Sequence, residues 1–150
     1  MGFLAKQRLI FTSKEYEDIY IKFNKSYDIP YQELFLICCT IGFKRNKKVK
    51  FKEKGREFRS NYWDDDSRVS AYCILLNDKD LNITIEDFND KDRYLEFQKT
   101  LEEYAQGGMQ ILLDEVFPPN IINNINSKPY DEFIIDIMSY VYKESNAVPF

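Results

Sequence analysis

Leu34-Phe35-Leu36-Ile37-Cys38-Cys39-Thr40-Ile41-Gly42 decides the fold class. Its apolar side chains point nearly all round a helix, so this helix is expected to be buried rather than laid on a surface. Pro30 is suited to open it and Gly42 to end it. A buried helix needs other elements around it, and the flanking sequence supplies them. Upstream, Tyr16, Ile19, Tyr20, Phe23 and Tyr27 recur at helical spacing, giving a helix over 13–27. Thr12 followed by Glu15 reads as its capping box, and Asp28-Ile29-Pro30 as its break. Before it, Lys6 to Thr12 alternates as a short strand should, with Lys6, Arg8, Ile10 and Thr12 on one basic face.

Downstream, Asp64, Asp65 and Asp66 introduce Val69, Tyr72, Cys73 and Leu76, a helix with acids at its favourable end. Asp90 to Ala105 reads as a longer helix, striped by Tyr94, Phe97, Leu101, Tyr104 and Ala105. Glycine costs about 1 kcal/mol against alanine inside a helix. Gly107-Gly108 is therefore expected to interrupt this helix, as a break, a cap or a very close backbone contact. Met109 to Phe117 is helical again until Pro118-Pro119. Ser127-Lys128-Pro129 opens a last helix carrying Phe133, Ile134, Ile137, Met138 and Val141. The expectation is a mainly α, compact single domain over residues 1–150. It has about six helices, a short N-terminal strand and a short basic hairpin. Its 150 residues and 16% aromatic content suit a sizeable core and exclude a disordered chain.

The charge is unevenly placed. Lys44 to Arg59 reads KRNKKVKFKEKGREFR: nine basic residues, opposed only by Glu53 and Glu57. Residues 1–60 hold fourteen Lys/Arg against seven Asp/Glu, and residues 61–150 hold seven against eighteen. A net charge of −4 thus hides a basic N-terminal half and an acidic C-terminal half. Such a split points to a polyanionic partner. Lys44, Arg45, Lys47, Lys48, Lys50, Lys52, Lys54, Arg56 and Arg59 are the candidate nucleic-acid contacts, acting on phosphates without regard to base sequence. Phe51, Phe58, Tyr62 and Trp63 are placed to pack on sugar or an unstacked base. The competing readings are a solvated loop and a patch that docks an acidic protein, even the acidic half of a second copy.

The chain has no histidine. The commonest general base, the commonest metal ligand and every Ser-His or Cys-His pair are therefore missing. No phosphate-cradling glycine loop is present. Cys38 and Cys39 are adjacent, and successive helical side chains diverge by about 100°, so they share neither a metal nor an ordinary disulfide. With Cys73 they read as small core residues in a reducing cytosol. No apolar run approaches the roughly 20 residues that span a bilayer, and no signal peptide is expected. Asp64, Asp65 and Asp66 are suited to Mg²⁺, but adjacent acids at a helix start serve more often as caps. An enzyme reading, a metal-dependent nuclease, would have to rest on those three or on Glu102 and Glu103. Glu102 and Glu103 read more simply as a solvated face. The expectation is no enzyme, no cofactor and no resident metal.

The order strand, helix, helix in the first 43 residues also fits a dimeric ribbon-helix-helix regulator. In that arrangement the strand pairs across a homodimer and shows Lys6, Arg8 and Thr12 to bases, while the helix start near Pro30-Tyr31-Gln32 meets a phosphate.

Leu101-Glu102-Glu103-Tyr104-Ala105-Gln106-Gly107-Gly108-Met109-Gln110-Ile111-Leu112, with Ile41-Gly42-Phe43-Lys44-Arg45-Asn46, resembles the Dnd (DNA phosphorothioation) system-associated protein 4 family. The likeness runs from about residue 12 to 115, with Gln106 where that pattern has Asn, and does not extend past Phe117. It implies a bacterial accessory protein encoded beside DNA-modification or anti-phage genes, and it carries over no catalytic residue. Together these readings give a cytoplasmic, non-catalytic accessory subunit of an anti-phage or DNA-modification complex. Its basic segment contacts DNA backbone, and its acidic half holds a larger ATPase or nuclease subunit. A protein-docking adaptor without DNA contact is the alternative.

Overall fold

A computed structural model describes residues 2–116 and 130–146 of the chain. The architecture is mainly α, with one two-stranded antiparallel sheet. Strand β1 (Leu9–Ser13) leads through a 3-10 turn into α1 (Glu17–Tyr27), then α2 (Tyr31–Lys44). Strand β2 (Lys54–Arg59) and a second 3-10 turn lead to α3 (Asp65–Leu76). Two further 3-10 turns precede the long α4 (Tyr94–Ile111), which widens into a π turn at Leu112–Val116. Helix α5 (Tyr130–Asn146) follows. The described residues thus hold five α-helices and the π turn, close to the expected count. The sequence signals at Phe117 to Pro119 and at Ser127 to Pro129 lie outside the described residues.

The buried reading of Leu34 to Ile41 holds: Leu34, Phe35, Cys38, Cys39 and Ile41 are in the core, and α2 packs chiefly on α4. Gly107 and Gly108 do not interrupt α4, which runs straight through them. They are where α2 and the segment that leaves it press on α4. A Cβ on Gly108 would overlap the carbonyl oxygen of Cys38, and one on Gly107 the carbonyl oxygen of Lys47. Gly42 meets the backbone of Tyr104 in the same way and does not end α2, which continues to Lys44. Of the roles open to Gly107-Gly108, close backbone contact is the one that applies.

Other local signals are displaced. Ser13, not Thr12, caps the first helical turn, its Oγ accepting the Glu15 N–H. Thr12 donates its hydroxyl to the Arg56 carbonyl instead. Helix α4 starts at Tyr94, because Asp90 caps a separate 3-10 turn at Lys91–Arg93. Asp64 does cap α3, accepting the Ser67 N–H at 2.8 Å, and this hydrogen bond holds its carboxyl below the ordinary range. Cys38 and Cys39 are buried, whereas Cys73 is exposed on α3.

The basic hairpin is replaced by a long-range pairing. β2 pairs with β1, Leu9 opposite Arg59 and Phe11 opposite Glu57, with a bulge before Ser13. The face of β1 that carries Ile10 and Thr12 turns into the core, not toward a partner. The other edge of β1 meets α4, where the Phe11 N–H donates to Glu102 Oε2 at 2.9 Å. A ribbon-helix-helix dimer needs a strand edge free to pair with a second copy. In this chain β2 and α4 occupy both edges of β1.

Candidate nucleic-acid interface

The nine basic residues of Lys44 to Arg59 do not form one solvated surface. The segment is tied along its length: Lys47 N–H donates to Gly42 O, Val49 N–H to Glu103 O, and Lys14 N–H to Glu53 O. These bonds hold an extended stretch against α4 between the end of α2 and the start of β2. They also fix which lysines turn inward.

Lys48 turns inward. Its Nζ lies 3.1 Å from Asp78 Oδ2 and 2.6 Å from Asp80 Oδ2, and it sits over the Tyr104 ring. Asp78 is 3% exposed. It also accepts the Leu81 and Asp80 N–H groups and, at 2.5 Å, the Tyr104 hydroxyl. Burial alone would raise the Asp78 pKa. The Tyr104 hydroxyl, the Leu81 N–H and Lys48 outweigh it, so the carboxyl stays below its usual range. The same network pushes the Tyr104 phenol up, first through burial and then through Asp78. Lys48 is therefore the cation of a half-buried structural cluster.

Arg45 pairs with Glu115 Oε2 at 3.0 Å and donates to the Tyr140 hydroxyl. Arg56 reaches the Tyr31 hydroxyl at the limit of hydrogen bonding, 3.5 Å. Lys44 lies exposed at the end of α2, and Lys47 is half-buried where it passes Gly107. Among the described residues, Lys50, Lys52 and Arg59 are exposed with no ion-pair partner.

Lys50, Phe51, Lys52 and Lys54 line a cleft of about 320 Å³, with Lys99, Glu102 and Glu103 of α4 on its other side. Lys99 belongs to the acidic half of the sequence, and nothing in the local pattern marked it. It enters because Lys99 and Glu103 are one helical turn apart, and Glu103 receives Val49. Lys54 lies over the Phe11 ring with its Nζ 4.4 Å from the centroid. Four lysines thus line one concavity, together with Glu102 and Glu103.

Glu102 forms the base of the cleft. It is 4% exposed and accepts from Phe11 N–H and Gln98 Nε2, so it is no part of a solvated face. Burial raises its pKa. The Phe11 and Gln98 hydrogen bonds, Lys54 and Arg8 oppose that rise without cancelling it.

The aromatic residues of the region are mostly committed elsewhere. Phe58 and Trp63 are core residues, and the Trp63 Nε1 donates to the Gln32 carbonyl. Phe51 is half-buried, and Tyr62 is the exposed one, at 58%. No cluster of three or more Cys, Asp or Glu placed to hold a metal exists among the described residues. Asp64 is spent on capping, and Asp65 pairs with Arg68. No described helix is long and apolar enough to cross a membrane. No protein-family model, no curated protein and no solved structure matches the chain.

Proposed function

We propose that this chain is a non-catalytic accessory subunit that contacts DNA backbone through the lysine cleft and docks a larger protein. The observation that carries the reading is that Lys50, Lys52, Lys54 and Lys99 line one cleft. Lys50 and Lys52 have no ion-pair partner among the described residues. Unpaired ammonium groups displace counterions when they meet phosphates, which gives affinity without base reading. The working footprint is smaller than nine residues. Lys48 and Arg45 are held by acids of their own chain, and Lys44, Lys47, Arg56 and Arg59 do not line the cleft. The exposed side chains Ile135, Met138 and Tyr142 of α5, at helical spacing, support a protein partner on the acidic side. The anti-phage or DNA-modification setting, with its ATPase or nuclease partner, follows from the family resemblance alone.

The test is fluorescence anisotropy with a labelled duplex at 50 and 200 mM salt. Lys50→Gln/Lys52→Gln is expected to weaken binding about tenfold at the lower salt and to flatten the salt dependence. Binding that is absent, or that is unaffected by the double change, removes the DNA role. Loss of a co-purifying protein in the same variant, with DNA digested away, would instead favour the protein-docking adaptor.

A further inference from the structure

A second basic cleft, of about 400 Å³, opens where the N-terminal segment crosses the start of α4. Its charged lining is Lys6, Arg8 and Lys91, beside Tyr94. Arg8 is the built part. Its Nε donates to Gln98 Oε1 at 2.7 Å, and its guanidinium lies 5.6 Å from the Phe3 ring centroid and 5.8 Å from that of Tyr94. These contacts hold the guanidinium plane, yet neither Nη has a hydrogen-bond acceptor or a carboxylate within ion-pair distance among the described residues. A half-buried guanidinium with its terminal N–H groups unspent presents a fork matched to a phosphate or carboxylate. Lys6 and Lys91 stand exposed at the rim without ion-pair partners among the described residues. Asp90 and Asp92 flank Lys91 in sequence, but neither lines the cleft.

The two clefts share one scaffold. Tyr94 lines this cleft and Glu102 lines the lysine cleft, eight residues along the same helix, so they lie about 12 Å apart at 1.5 Å per residue. Gln98, midway, bonds to both Arg8 and Glu102. A duplex carries a negative charge about every 1.7 Å of axis, so one nucleic acid offers several phosphates within that distance.

We infer that Lys6, Arg8 and Lys91 form a second phosphate site, occupied by the same nucleic-acid backbone that enters the lysine cleft. The inference rests on the DNA-backbone reading and extends its footprint from four cations to seven. Each phosphate contact contributes about 0.9 to the slope of log K against log salt.

The experiment measures that slope for the full chain on one duplex, comparing wild type, Lys6→Gln/Lys91→Gln and Lys50→Gln/Lys52→Gln. Lys6 and Lys91 are exposed, so their replacement leaves the core intact. Arg8→Lys, which keeps charge but loses the fork, is the companion variant, with its fold checked by circular dichroism. Each double variant is expected to lower the slope by about 2, and Arg8→Lys to weaken binding several-fold. If Lys50→Gln/Lys52→Gln flattens the slope while Lys6→Gln/Lys91→Gln and Arg8→Lys match wild type, the second site is overturned and the first stands. If wild type binds no duplex, both fall.

Discussion

At the scale of the residue, the same side chain type has two fates in one segment, and burial decides between them. Lys48 and Lys50 are two positions apart, yet one neutralises Asp78 and the other faces solvent. Lys48→Met keeps the aliphatic stem over Tyr104 but removes the cation from a carboxylate already out of water. Hydrogen bonds to charged groups are worth about 1.5–3 kcal/mol, so a loss near 2 kcal/mol is expected in urea denaturation. DNA affinity measured below the unfolding range is expected to stay within about twofold. A large loss of affinity with unchanged stability would return Lys48 to the binding surface. Glu102 has the opposite sign. Burial raises its pKa in the folded protein, so the folded state favours the protonated carboxyl. The penalty of the buried charge is fully present above the folded-state pKa. It fades as pH falls through that value toward the unfolded one, about 4.3. Glu102→Gln keeps an acceptor for Phe11 and Gln98. It is expected to raise Tm at pH 7.5, with the difference shrinking toward pH 4.5, where Asp78, held below its ordinary range, is still ionised. The change also removes the negative base of the lysine cleft, so duplex affinity at pH 7.5 should rise. A Tm difference that does not narrow as pH falls would show that the carboxylate is not the source.

At the scale of the element, glycine in α4 trades helix propensity for proximity. In an ordinary helix, Gly→Ala stabilises by about 1 kcal/mol. At Gly108 the added methyl meets the Cys38 backbone, which belongs to a buried helix and cannot step aside. Overpacking costs about 1–3 kcal/mol and sometimes more, so the sign reverses. Gly108→Ala is expected to destabilise by at least about 2 kcal/mol in urea denaturation, and a stabilised variant would mean that α2 and α4 are farther apart. This crossing also shows what sequence reading reaches. Periodicity found α1, α2 and α3, because each buries a stripe or a whole surface of its own residues. It placed breaks at Gly42 and Gly107, because propensity is local and the other helix that explains those glycines is about sixty residues away. The strand at Leu9 to Ser13 was legible from its alternation, but its partner was not, since β2 has only Phe58 buried. Lys99 and Glu102 were invisible as neighbours of the basic run for the same reason: contacts distant in sequence, such as the Val49 to Glu103 bond, bring them there.

At the scale of the molecule, the division into basic and acidic halves is partly cancelled by folding. Arg45 meets Glu115, and Lys48 meets Asp78 and Asp80, so cations of the first half are neutralised by acids of the second. Counting charge along the chain therefore overstates the field a partner meets. If all nine residues of Lys44 to Arg59 touched phosphates, the slope of log K against log salt would be about −8. The lysine cleft alone allows about −4, and both clefts together about −6. Titrating one duplex between 50 and 200 mM salt separates these values, because a difference of 2 in slope over that fourfold range is a factor of about 16 in affinity. A slope near −6 is expected for wild type, and it should not change in Lys48→Met. The seven cleft cations together with Lys44, Lys47, Arg56 and Arg59 allow about −10, so a slope steeper than that would mean that Arg45 and Lys48 leave their acids to meet the nucleic acid. Binding would then be linked to opening of the Asp78 cluster, and Asp78→Asn/Asp80→Asn, which removes both carboxylates that hold Lys48, would tighten it.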